Sequence, residues 1–255
     1  MGGAISVPGN MTPVAEFNTY ADAIATARIF ALTSPRPSST LPPPPPPPPS
    51  TSTHDSSLPP YPAKFSKILP LALFPLDITS PHLLHRSAFT SKTAPLTAAG
   101  SPLAEWTSAF LASTFHKITT LHTTTALDEA EVDTDVALSL HDPLCIWYVL
   151  THPGTHPDSQ SHQSDSWTLS PSSPEDIRVE TSGQWTRGMC VVDRRDRKKL
   201  HDNKDTGADE AGEDGEVPGD TGRWLDPHRG NRINRVGGSP GVGLFEKVLL
   251  DRIFG

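Results

Sequence analysis

A chain of 255 residues with 21 Lys and Arg against 29 Asp and Glu carries a net charge of -8, which offers no electrostatic footprint for nucleic acid or for an acidic membrane surface. Its 2 cysteines are too few for a secreted disulfide framework, and no apolar stretch approaches the length of a membrane span. Only 35% of the residues are hydrophobic while 28 are proline, so biased segments account for much of the length.

In chain order, the run YADAIATARIFAL from Tyr20 sets Ala, Ile and Leu at helical spacing and predicts a helix over 20–33, ended by Ser34-Pro35. Residues 35–62 hold a block of consecutive prolines from Pro42 to Pro49 between Ser/Thr flanks, a composition that forms polyproline II and packs no core. The apolar run 71–78 predicts a buried strand ending at Asp77 and Thr79, with Ser80 and Pro81 as N-cap and first residue of the next helix. Over 102–121, Leu103, Trp106, Phe110, Leu111, Phe115 and Ile118 fall on one helical face, and 143–150 reads as a helix buried on most sides. Residues 151–173, rich in His, Ser, Asp and Pro, and 198–222, passing from basic into acidic and Gly-rich sequence, are expected to be disordered. Residues 177–193 alternate around Ser182-Gly183, which predicts a hairpin; 231–236 then reads as a last strand and 242–254 as a closing amphipathic helix. Cys145 and Cys190 lie in apolar runs and read as small buried hydrophobes. The order is that of an α/β fold, a partial doubly wound, mostly parallel sheet with disordered inserts. Without the biased segments, roughly 160 to 180 residues are left to fold, the size of one domain. The start of the chain shows neither a charged n-region nor an apolar h-region, so a cytoplasmic setting is expected.

Chemistry concentrates in the first eighteen residues. Gly2, Gly3 and Gly9 allow close approach of backbone to a ligand, and Asn10, Glu16 and Asn18 supply donors and acceptors suited to a polyhydroxylated molecule. The same residues are ordinary turn formers, and Glu16 also suits the first turn of a helix. Met1-Gly2-Gly3, Gly9-Asn10, Thr12-Pro13 and Ala15-Glu16-Phe17-Asn18 together resemble the ribose-binding segment of the inosine-uridine preferring nucleoside hydrolases. Phe74-Pro75-Leu76-Asp77-Ile78-Thr79 and His141-Asp142-Pro143 are similar to two later blocks of that family, in the same order.

The resemblance implies hydrolysis of the N-glycosidic bond of a ribonucleoside to base and ribose, with Ca²⁺ as cofactor. It implies that Met1, Asn10, Glu16 and Asn18 contact the ribose, that Asp142 is a metal ligand, and that His141 serves as general acid toward the leaving base. The family also opens on a DxDxGxDD cluster, to which nothing in this chain corresponds, so a truncated and inactive form is expected. Other readings stand beside these. Asp142 before Pro143 suits an N-cap, His141 suits a structural role, and Asp77 suits a turn. Asp133-Thr134-Asp135 reads as a solvated charge run rather than a metal cluster. A non-catalytic relic, or an interaction protein offering its prolines to SH3 or WW domains, remains the alternative function. Self-association is left open by these residues.

Overall fold

The computed structural model describes residues 1–41, 65–125, 135–152, 167–195, 197 and 219–255. Most of the three segments expected to be disordered, and Asp133-Thr134, lie outside the described residues. The described edges of those segments carry structure: a 3-10 turn at Pro37–Ser39 with Pro37 buried, a buried Ser170, and a buried Asp220. The chain divides into two compact units, Met1–Leu76 with Leu169–Val236, and Asp77–Thr168 with Gly237–Gly255.

In the first unit, the helix expected over 20–33 is two helices, α1 (Phe17–Ala21) and α2 (Ala23–Ala31). Two successive N-caps cause the break. Glu16 accepts from the amides of Asn18 and Thr19, and Asp22 accepts from Ala25 N–H at 2.8 Å, so each acid satisfies donors that a helix start leaves open. Strand β1 is confined to Ala72–Leu73, because Pro75 removes a ladder donor and the chain turns into the short helix α3 (Leu76–Thr79). Asp77 therefore sits in the first turn of α3 and not at a strand end.

Two short strands, β2 (Leu83–His85) and β3 (Ala137–Ser139), belong to the second unit. In the first, β1 pairs parallel with β7 (Asn234–Gly238) in the register Ala72↔Asn234 and Leu73↔Arg235, and β7 lies between β1 and β4 (Thr168–Leu169). The expected hairpin forms as β5 (Arg178–Val179) against β6 (Cys190–Val191), antiparallel, with Ser182 and Gly183 in its connection. Ile5, Phe30, Leu73, Ile177, Cys190 and Ile233 make the core. Burying an isoleucine such as Ile177 or Ile233 contributes about 1.5–3 kcal/mol.

The second unit departs further from expectation. Ser80 and Pro81 form a turn, not a helix start. After them β2 (Leu83–His85) pairs antiparallel with β3 (Ala137–Ser139), Leu84 opposite Leu138, and α4 (Arg86–Ala98) follows. Helix α5 runs Pro102–Thr125 and α6 His141–Thr151, and α7 (Val242–Phe254) closes the chain as expected. The apolar faces are only partly used. Phe115 is buried, but Leu103, Trp106 and Phe110 are exposed, Trp106 to 67%. In α6 Leu144 and Trp147 are buried while Ile146, Val149 and Leu150 are exposed, so that helix is buried on one side rather than on most. Cys190 is buried as expected, whereas Cys145 is only half-buried; neither is in a disulfide. No helix among the described residues is long and apolar enough to cross a membrane.

His82 is the fully buried polar centre of this unit. A carbonyl only accepts, so Nδ1–H donates to Ile78 O at 2.9 Å and Nε2 accepts from the Ser239 hydroxyl at 2.9 Å. The rings of Trp147 and Phe245 meet it edge-on at centroid distances of 6.4 and 6.1 Å. Burial holds its pKa below the ordinary histidine value, outweighing the opposing hydrogen bond to Ile78. The unfolded chain thus binds this proton more readily than the folded one. His82 contributes stability that is present above a pH of about 6.5 and is lost as pH falls through the lowered folded value. The urea midpoint is expected to drop between about pH 7.5 and pH 5.5, and His82→Gln is expected to remove that part of the dependence. An unchanged slope in the variant rules it out.

Candidate functional site

The turn over residues 1–18 is organised by one carboxylate. Glu16 is 1% exposed, and its two oxygens accept three backbone N–H groups: Gly3 to Oε2 at 2.9 Å, Thr19 to Oε2 at 3.2 Å and Asn18 to Oε1 at 2.9 Å. An ionised carboxylate has about four lone-pair sites, so about one remains for a further donor. The N-cap role and the ligand role proposed from sequence are therefore compatible at Glu16. Asn10 Oδ1 accepts from Phe17 N–H at 2.9 Å and ties the loop to the start of α1. Asn18 is exposed, with Nδ2 3.5 Å from both the carbonyl oxygen and the sulfur of Met1.

Two glycines in this turn cannot be replaced at little cost. Gly3 has φ +82°, and a Cβ there would stand 2.7 Å from the Cys190 sulfur. At Gly9 a Cβ would meet Ala15 O at 2.2 Å, because the loop folds back on itself through Gly9 N–H to Pro13 O and Met11 N–H to Ala15 O. Past this turn lies a cavity of about 350 Å³ lined by Met1, Gly2, Asn18, Thr19 and Asp22, with Ile29, Phe30 and residues 71–73 as its apolar wall. That volume falls in the range of small-molecule sites. Three of the four expected ribose contacts are thus brought together: Met1 and Asn18 line the cavity, and Glu16 braces the backbone behind them. Asn10 does not line the cavity; its Oδ1 is held by Phe17 N–H, next to Asn18.

His141 and Asp142 belong to the second unit, at the start of α6. The segment before the helix is stitched to the turn after α3: Leu140 N–H donates to His82 O at 2.7 Å, and His82 N–H donates to Thr79 O at 3.1 Å. This sets the fully buried Thr79 hydroxyl 2.8 Å from His141 Nδ1. Leu140 occupies the N-cap position, so Asp142 stands one residue inside the helix and is not the N-cap that its place before Pro143 suggests. Its carboxylate is exposed and makes no hydrogen bond or ion pair among the described residues; it lies where the helix dipole favours a negative charge. Asp135 holds the start of α4 through Ser87 N–H at 3.0 Å and the Ser87 hydroxyl, bonds that keep its carboxyl below the usual carboxylate range.

Among the described residues, no three His, Cys, Asp or Glu side chains gather where they could hold a metal ion. Ca²⁺ takes 6 to 8 oxygen ligands. Asp142 alone does not make such a site, and the described residues do not fit Ca²⁺ as a resident ion.

Sequence reasoning passed over Thr79, Thr19 and Asp22. Thr79 lies in the same block as Asp77, where the acidic residue drew attention; the one available signal was a hydroxyl inside an otherwise apolar run.

The family described as inosine-uridine preferring nucleoside hydrolase matches residues 1–211. Among solved structures the chain is similar to a purine-preferring ribonucleoside hydrolase from Gardnerella vaginalis, with TM-score 0.51 and 18% identity, covering 100% of this chain and 51% of that one. It is likewise similar to the plant nucleoside hydrolase PpNRh1, with TM-score 0.52 and 14% identity, covering 100% of this chain and 52% of that one. The chain spans about half the length of these structures. Identities this low speak to the fold alone. A search among curated proteins finds no match.

Proposed function

This chain belongs to the inosine-uridine preferring nucleoside hydrolase family, and we propose that it binds a ribonucleoside and takes part in cleaving its N-glycosidic bond to base and ribose. Breaking that bond builds positive charge on the sugar and negative charge on the departing base, so the reaction needs a held ribose and a donor to the base. Asn18 and Asn10 carry amides able both to donate to and accept from ribose hydroxyls, Glu16 keeps an acceptor position, and Met1 packs against the sugar. His141 is the proposed donor to the leaving base. Activation of the attacking water is assigned to no residue of the described set.

The observation that supports this reading best is the meeting of Met1, Gly2 and Asn18 at a cavity of about 350 Å³ behind a loop that Glu16 ties together. The test is calorimetric titration of the chain with inosine. Asn18→Ala removes a side-chain hydrogen bond of about 1.4 kcal/mol and is expected to weaken binding about tenfold. Glu16→Gln is expected to lower stability as well, since the amide exchanges one acceptor oxygen for a donor facing backbone N–H groups. No binding by the wild-type chain, or equal affinity in Asn18→Ala, overturns the assignment.

A further inference from the structure

We propose that Thr79 is the positioning residue of His141, fixing its neutral imidazole in the tautomer that carries the proton on Nε2. Thr79 is fully buried, and among the described residues His141 Nδ1, at 2.8 Å, is the partner of its hydroxyl. A hydroxyl proton without an acceptor in such a place is a desolvated donor left unpaired, which folded proteins avoid. Donation from Oγ1–H to Nδ1 satisfies it. The reverse arrangement, Nδ1–H donating to Oγ1, strands the hydroxyl proton. With Nδ1 accepting, the ring proton of a neutral histidine sits on Nε2.

The consequence for chemistry rests on the nucleoside hydrolase reading given above. A departing purine or pyrimidine gains electron density on its ring nitrogens and needs a hydrogen-bond donor, which Nε2–H supplies and a bare Nε2 does not. The ring then acts by donating a hydrogen bond and keeps its proton, because giving it up from the neutral form would leave an imidazolate. The backbone geometry supports the arrangement: the bonds from Leu140 N–H to His82 O and from His82 N–H to Thr79 O hold both ends of the pair on one short path.

The test is nitrogen NMR on the ¹⁵N-labelled full chain at a pH of about 8.5, where an ordinary histidine is neutral. The chain has 11 histidines, and the His141 signals are identified by their loss in His141→Gln. Nδ1 of His141 is expected in the range of an unprotonated, hydrogen-bonded nitrogen and Nε2 in the range of a protonated one. Thr79→Ser is expected to keep that pattern, and Thr79→Val to shift the Nδ1 signal toward the protonated range as the second tautomer gains population. A protonated Nδ1 in the wild type, or an Nδ1 signal unmoved by Thr79→Val, overturns the proposal. Should Thr79→Val not fold, the wild-type and Thr79→Ser spectra decide alone. The expected spectra with no inosine binding overturn the functional reading only and support the Thr79 assignment; inosine binding with Nδ1 protonated does the reverse.

Discussion

Glu175→Ala is expected to cost the first unit about 3 kcal/mol, the low end of what breaking a buried ion pair costs. Glu175 is buried, and Arg235 of β7 grips it with a planar fork: Nε lies 3.1 and 3.0 Å from the two carboxylate oxygens and Nη2 2.9 Å from Oε1. The Ser170 hydroxyl donates to the same carboxylate at 2.7 Å, the Ser172 hydroxyl donates as well, and Glu175 exchanges backbone hydrogen bonds with Ile233. Removing the carboxylate takes away the acceptor that the guanidinium fork and two hydroxyls share. The low end of the range applies because the Arg235 side chain is 18% exposed and keeps some water. Burial alone would raise the Glu175 pKa, but the hydrogen bonds from Arg235, Ser172 and Ser170 outweigh it and hold the carboxyl below its ordinary value. The stability it supplies is therefore present above the unfolded value of about 4.5 and is lost as pH falls through the folded one. Urea unfolding at neutral pH gives the single-variant cost. The paired change Glu175→Met with Arg235→Met is expected to cost less than the sum of the two single changes. Additive losses would show that the two side chains act independently.

What the sequence made legible follows from how local each cause is. Helix α7 is readable because its apolar residues recur at helical spacing, although of these Phe245 and Leu250 are buried while Val242, Leu244 and Ile253 are exposed. The hairpin of β5 and β6 is readable from alternation around a Ser-Gly turn. The split of 20–33 into α1 and α2 was not, since nothing in the spacing separates an Asp22 on the helix surface from an Asp22 that caps a new helix. Strands β2 and β3 are three residues each, too short for a period, and they exist because they pair with each other across about fifty residues of chain. The apolar stripes of α5 and α6 were legible, but which residues of each stripe become buried is a tertiary fact, and Trp106, stacked on Phe110, and Ile146 stay exposed. At the site, Asn10, Glu16 and Asn18 stood out because amides and acids among glycines are conspicuous. Thr79 did not, because its hydroxyl gains meaning only when the chain brings it to His141.

Turnover is where the largest effect is expected. With inosine or uridine in excess and Ca²⁺ supplied, the 255-residue chain is expected to hydrolyse nucleoside far below the median enzyme rate of about 10 s⁻¹. A Ca²⁺ ion replaces 6 to 8 water oxygens, and a single exposed carboxylate such as Asp142 returns too few of them to hold it. Whatever hydrolysis remains is then expected to be unchanged when Ca²⁺ is removed by a chelator, and unchanged in Asp142→Ala. It is expected to depend on His141 in a graded way. A hydrogen-bond donor to the developing charge contributes about 10²- to 10³-fold where the base leaves poorly and little where the leaving group is already good, as with nitrophenolate. His141→Ala should thus depress residual inosine cleavage while sparing a nitrophenyl riboside. Equal losses on both substrates would make His141 a structural residue of the α6 turn. Turnover near 10 s⁻¹ that vanishes with the chelator would overturn this expectation, and would assign the metal site to ligands other than Asp142 alone.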